Sequence, residues 1–250
     1  MAAASGKVTR VVLHLYDHCP YCVRVELFLA WRSIPYERVV YGYGNESEEF
    51  GPKKLLGKKQ LPVAEIFLLQ ESGDGEAEER RVLMPESLDI IDFFAARGNN
   101  VKTLKKATGA ASAWVKTLKP SQRILCRPRI IEMPVFDWAK PEDVAYAKAK
   151  YTRQGFDYDA ALKQSSEMKA VASKRLEELS VILPEFANVN AGRSADNDDW
   201  CWTMDDILLL PELRTLTCVR GVTWPDNVRA YLERSFEGCK AELYTRSAVE

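Results

Sequence analysis

Residues 9–16 read TRVVLHLY, a run of β-branched and large apolar side chains closed by polar Asp17 and His18, which predicts a strand. Pro20 falls at a first-turn position, where its missing N–H costs nothing. Val23, Leu27, Phe28, Ala30 and Trp31 then recur at helical spacing and predict a helix over 21–31. Further strands are predicted over 36–41, from Leu61-Pro62 through 69, and over 81–84, with a loop or short helix over 44–57. The charged stretch 70–81, which carries Gly73 and Gly75, reads as an exposed hairpin loop. A helix over 87–97 completes the order β-α-β-α-β-β-α. In that order the first helix can supply the right-handed crossover that a parallel strand pair needs.

Beyond Gly98 the period changes. No alternating run of useful length follows, and 101–118, 158–183, 203–219 and 227–243 all tolerate a helical reading. Gly98-Asn99-Asn100 reads as a linker, and the polar stretch 184–202 as an exposed loop. Thr203 with Asp206 three positions on is a helix-start signal, and Pro211 is expected to kink the helix that follows. The pattern therefore predicts an α/β domain ending near residue 97 and an all-helical domain after it.

Composition narrows the class. Of 250 residues, 46% are hydrophobic and 28% charged, which excludes a largely disordered chain. The 35 basic and 36 acidic side chains leave a net charge of -1, which argues against a wholesale nucleic-acid binder or a polybasic membrane binder. No run of 18 apolar residues predicts a membrane span, and residues 1–10 lack the apolar stretch of a secretory signal. Six cysteines are too sparse to staple a chain of this length, so reduced thiols in a cytoplasmic setting are expected.

Two of those cysteines carry the candidate chemistry. Cys19-Pro20-Tyr21-Cys22 lies between a predicted strand and a predicted helix. There the free N–H groups and the positive dipole end favour a thiolate at Cys19. Cys22, about one turn deeper, is placed to resolve a mixed disulfide and to keep its proton. The alternatives are a packing pair or a zinc site, though no second CxxC or nearby His pair completes four ligands. His18 reads as a solvated loop residue or a tuning group, and His14 as a structural histidine. Leu61-Pro62 fits a cis bond in a tight turn or an ordinary trans strand-starting proline, and its place before the third strand favours cis. A turn of that kind leaves Leu61 backbone groups free for an extended, peptide-like ligand. In Met84-Pro85-Glu86-Ser87, Ser87 is an N-cap candidate. Glu86 could meet a ligand ammonium while Ser87 and the helix N-terminus meet a carboxylate, though plain capping explains the motif as well. Cys218 reads as buried, and Cys126 and Cys239 as exposable. None of Cys126, Cys201, Cys218 and Cys239 lies at a strand-to-helix junction. Trp114, Trp138, Trp200, Trp202 and Trp224 read mostly as core, with a docking surface as the alternative.

YDHCPYC at 16–22, GKKQLPVA at 57–64, MPESLDII at 84–91 and the stretch 203–233 resemble the glutaredoxin 2 family, the larger two-domain bacterial glutaredoxins. The resemblance spans about 10–236 and is weakest over 103–197. It implies a thioredoxin-like domain at 8–97, a linker at 98–106 and a helical glutathione-transferase-like domain at 107–245. It further implies glutathione as cosubstrate, no metal, and glutathionylated or disulfide-bonded proteins as substrates. Cys19 would be the nucleophile and Cys22 the resolving thiol. Pro20 and Tyr21 would flank glutathione, Leu61 would pair with it ahead of cis-Pro62, and Glu86 and Ser87 would hold its γ-glutamyl end. A monomer is implied, although glutathione transferases of similar architecture are dimers. One departure stands out. Tyr16-Asp17-His18 place no lysine before the nucleophile, where small glutaredoxins carry one. The rival readings are a glutathione transferase that conjugates electrophiles and, outside the enzymes, a glutathione-ligated iron–sulfur carrier.

Overall fold

The computed structural model describes residues 6–71, 77–97, 104–186 and 202–250. Strand β1 (Lys7–Leu15) runs parallel to β2 (Glu37–Val40) and antiparallel to β3 (Val63–Glu71). Strand β4 (Ala77–Pro85) closes the mixed sheet β2-β1-β3-β4. The second half of β1, Val11 to Leu15, is buried at every position, the apolar residues as a strand covered on both faces requires and His14 with its ring nitrogens bonded to Tyr41 and Glu65. Helix α1 (Pro20–Trp31) forms the crossover to β2. α2 (Lys53–Leu56) and α3 (Ser87–Ala95) complete a thioredoxin-like unit.

α1 is buried on nearly all sides, because it packs against α3 within this unit and against α8 (Met204–Leu216) of the helical part. Trp31 at its end stacks on Trp202, with ring centroids 5.5 Å apart. The helical part also holds α4 (Ala110–Ile130), a 3₁₀ turn at Phe136–Trp138, α5 (Pro141–Arg153), α6 (Tyr158–Lys163), α7 (Ser165–Phe186) and α9 (Asp226–Phe236). Both parts share one apolar core. Burying a side chain such as Leu27 or Phe28 there contributes about 1.5–3 kcal/mol.

The expected architecture is present, with local differences. The loop expected over 70–81 is largely strand, since Glu71 pairs with Ala77. Residues 77–81 are exposed, so no apolar alternation marks them as strand; 72–76 lie outside the described residues. The helix predicted over 101–118 is displaced to α4, which passes Pro120 and Pro128. Each proline removes one backbone bond, but Leu118, Leu125 and Ile130 are buried where α4 meets α7 and α8, and packing outweighs the loss. α8 likewise runs through Pro211 without interruption. It opens on the expected capping box: Thr203 N–H donates to Asp206 Oδ2 at 2.7 Å, and Asp206 N–H donates to Thr203 Oγ1 at 3.3 Å. α9 stops at Phe236, short of 243, because Gly238 just beyond it takes a left-handed conformation (φ 74°) that ends a helix. α5 has no counterpart in the sequence reading, since it buries only Asp143 and Ala147 and so shows little apolar period.

Candidate active site

Cys19 occupies the N-cap of α1 with extended backbone (φ −76°, ψ 117°), and Pro20 follows at the first helical position. Backbone N–H groups of Cys22 and Tyr21 point at its sulfur, and the buried Cys22 thiol hydrogen-bonds to it. These groups pull the Cys19 thiol down to about 7. The Cys22 hydrogen bond is the largest cause, burial opposes it, and the charge of His18 and the two backbone N–H groups add to it. Cys22 moves the other way. Burial, and the hydrogen bond it makes to Cys19, push its thiol well above the ordinary range. One thiol is thus drawn toward ionisation while its neighbour holds a proton.

His18 is not a solvated loop residue, and its charge is one of the lesser causes that lower the Cys19 thiol. Its Nδ1 lies 2.5 Å from Oδ2 of Asp137, a fully buried carboxylate on the 3₁₀ turn of the helical part. Asp137 also accepts the backbone N–H groups of Asp17 at 2.9 Å and His18 at 2.7 Å. Three bonds satisfy a carboxylate that would be costly to bury alone. Tyr16, Tyr43 and Trp138 enclose the imidazole, with centroids at 5.8, 4.9 and 4.6 Å. Arg214 of α8 donates to the Asp17 carbonyl at 2.8 Å, and Arg38 pairs with Asp17 and, at 2.8 Å, with buried Glu26. The loop before Cys19 is therefore clamped from both domains. His14 is structural, as expected: it is buried and bonded to Tyr41 Oη at 2.8 Å and Glu65 Oε2 at 3.0 Å.

Strand register brings the other candidates to the same sheet edge. His14 is level with Val63, and Val63 with Pro85. The end of β1, the start of β3 and the end of β4 therefore meet beside Cys19. Leu61-Pro62 precedes Val63 and is cis. Glu86 follows Pro85 and has φ 67°, a left-handed backbone that a non-glycine residue adopts only under constraint. Gln60 Nε2 donates to Glu86 Oε1 at 2.5 Å. Ser87 is not the N-cap. Glu86 holds that position and Ser87 is the buried first residue of α3. No side chain caps α3, so its first N–H groups have no side-chain acceptor at the cap. Tyr21 is 55% exposed, and Arg24 lies over its ring.

The remaining cysteines divide differently than expected. Cys126 is buried, not exposed, because it lies where α4 packs against α8. Its thiol contacts that of Cys218, which is buried as read. Cys239 is half-buried, and burial pushes its thiol up to about 12. Cys201 and Trp200 lie outside the described residues. Among the described residues no three His, Cys, Asp or Glu side chains form a metal cluster, and no helix is long and apolar enough to cross a membrane. Asp137, Arg214 and Arg38 escaped the sequence reading, and nothing near them in sequence points to Cys19. Gln60, adjacent to Leu61, carried the only local signal.

Sheet, helical part and dithiol together define a glutathione-transferase-like protein with a glutaredoxin-type redox centre. Residues 18–97 match the family model of the glutathione S-transferase N-terminal domain, and residues 110–248 match that of the glutaredoxin 2 C-terminal domain. Glutaredoxin 2 of Escherichia coli K12 is 25% identical over 237 residues, covering 95% of this chain and 99% of that protein. Glutaredoxin 2 of Salmonella typhimurium, solved in complex with glutathione, superposes with a TM-score of 0.78 at 23% identity, covering 96% and 100% of the two chains. A trimeric Leishmania glutathione transferase shares the fold at a TM-score of 0.52 and 15% identity, covering 97% of this chain and 45% of that one. The chain belongs to the glutaredoxin 2 family and is a glutaredoxin-type thiol–disulfide oxidoreductase.

Proposed function

We propose that Cys19 and Cys22 carry out glutathione-dependent reduction of protein–glutathione mixed disulfides and of disulfides, within a catalytic domain at 8–97 supported by a helical domain at 107–245. The observation that carries this reading is the placement of Cys19 at the N-cap of α1, where the Cys22 thiol and the backbone N–H groups of Tyr21 and Cys22 meet its sulfur and draw the thiol down to about 7. The Cys19 thiolate attacks the glutathione sulfur of a mixed disulfide. A Cys19–glutathione bond forms, the substrate S–S bond breaks, and the substrate leaves as a thiolate that takes a proton from water. A second glutathione thiolate then attacks the bound glutathione sulfur, releasing glutathione disulfide and the Cys19 thiolate. With a protein disulfide, the Cys19 thiolate attacks one sulfur, forming a Cys19–protein disulfide and releasing the first protein thiol. Cys22, giving up its proton, then attacks Cys19 and releases the second protein thiol, and two glutathiones reduce the Cys19–Cys22 bond and leave as glutathione disulfide.

Glutathione has an extended backbone and an α-amino acid head group. Leu61 beside cis-Pro62 offers the backbone pairing, and Pro20 and Tyr21 flank the sulfur. Glu86 answers the ammonium, while Ser87 and the α3 N-terminus answer the carboxylate. The chain acts on these substrates as a monomer in the cytoplasm, where glutathione keeps thiols reduced. The test is a glutathione-coupled disulfide assay run beside conjugation of an aromatic halide. Cys19→Ser should abolish disulfide reduction, and Cys22→Ser should retain deglutathionylation while losing reduction of protein disulfides. Full activity in Cys19→Ser, or conjugation outrunning reduction in the unaltered protein, would sink the assignment.

A further inference from the structure

Lys116, Lys119, Arg123 and Arg127 lie at i, i+3, i+7 and i+11 on α4, which puts all four cations on one side of the helix. They line a groove that ends at Pro20, the residue bonded to Cys19, with Tyr151 on its wall and no acidic side chain lining it. Leu61, Pro62, Glu86 and Ser87 do not line it, so it is separate from the sheet edge assigned to glutathione. Like charges three and four residues apart destabilise a helix. Compensation here is slight. Lys119 pairs with Glu212 at 2.5 Å, and Arg127 rests over the rings of Tyr151 and Phe156 at 4.3 and 5.0 Å. Arg127 is held below its ordinary proton affinity by burial and by the charge of Arg123. A chain with a net charge of -1 does not carry such a row through general basicity. A neighbouring anion would relieve the repulsion.

We propose that this groove receives an acidic polypeptide segment flanking the substrate cysteine, so that the enzyme prefers glutathionylated sites in acidic surroundings. The inference rests on Cys19 being the nucleophile. When glutathione occupies the sheet edge, the leaving polypeptide extends past Pro20 along α4. Its carboxylates then meet the four cations, and the contact both steers encounter and orients the disulfide.

The test uses two glutathionylated peptides that differ only in their flanks, Asp/Glu against Asn/Gln, with bis(2-hydroxyethyl) disulfide as a small uncharged reference. The unaltered protein should favour the acidic peptide about 10-fold in kcat/KM at low salt, and the preference should shrink as salt screens it. The double variant Arg123→Glu, Arg127→Glu should erase or invert the preference while turning over the small disulfide within about twofold. Arg123→Gln, at an exposed position, should give a partial loss and guards against misfolding of the double variant. Equal rates on the two peptides, or variants slowed equally on both, would overturn the proposal. So would a raised KM for glutathione with the small disulfide, since the cations would then serve glutathione itself. Failure of the unaltered protein on the small disulfide would overturn the oxidoreductase reading as well, which separates the two outcomes.

Discussion

Among the described residues two pairs of cysteines touch, and their chemistry runs in opposite directions. Cys19 meets Cys22 at the start of α1, and Cys126 on α4 meets Cys218 just beyond α8. In both places burial penalises a thiolate. At Cys19 the partner thiol, His18 and two backbone N–H groups outweigh that penalty, and the thiol falls to about 7. At Cys126 burial leads, the contact with Cys218 raises the thiol further, and Arg129 opposes too weakly to stop it rising well above the ordinary range. Cys126 also lies toward the negative end of its helix, whereas Cys19 sits at the positive end of its own. A close thiol neighbour therefore lowers a thiol only where it donates to that sulfur alongside other donors, as Cys22 does at Cys19, and not where burial leads, as at Cys126.

The largest test of that contrast is thiol reactivity. In the reduced native protein at pH 7, Cys19 should be alkylated at least about 10³-fold faster than Cys126, because it is partly ionised and reachable. Peptide mapping after a short iodoacetamide pulse measures this, and comparable labelling of the two would break the comparison. Next is the clamp on His18. Asp137→Ala leaves the imidazole and two backbone N–H groups without their acceptor. Because the charge of His18 adds to the Cys22 hydrogen bond in holding the Cys19 thiol down, loosening it should move the apparent pKa upward from about 7. Activity should fall about 10-fold near pH 6–7 and recover toward pH 9, where the thiol ionises without help. An unchanged pH profile would remove His18 and Asp137 from the account.

Two smaller effects sharpen the contrast. Glu86→Gln removes the carboxylate proposed to meet the glutathione ammonium, a charge-assisted contact of about 1.5–3 kcal/mol, so KM for glutathione should rise about 10-fold or more with little change in the Cys19 pKa. A shift in the pKa instead would mean that Glu86 acts on the thiol rather than on the ligand. Cys126→Ala should leave activity intact and lower unfolding stability by about 1 kcal/mol, the cost of a small cavity. Denaturant melts read the second value, and a loss of turnover would show that the helical-domain pair takes part in the chemistry.

The parts of this account visible in the sequence are those with a short physical range. A cysteine before a proline at a strand-to-helix junction reports helix-end electrostatics within four residues. Leu61-Pro62 and Glu86-Ser87 report a turn and a helix start in the same way, and even there the cap fell one residue from Ser87, on Glu86. The capping box at Thr203 and Asp206 was equally legible. Helix limits were less so where prolines stood inside α4, because the burial of Leu118 and Leu125 that overrides them depends on α7 and α8.

Sequence alone determined the class of fold, the division into an α/β half and a helical half, and the dithiol with its flanking motifs, because periodicity, capping and helix dipoles act between near neighbours. Tertiary structure decided what surrounds that dithiol. Asp137 reaches His18 across 119 positions of chain, α4 lays a row of cations beside Pro20, and Cys126 finds Cys218 in the core. Those contacts exist because the apolar faces of α1, α4 and α8 pack together. Hydrophobic burial is non-directional and roughly proportional to area, so no short stretch of sequence records which polar groups it will bring side by side.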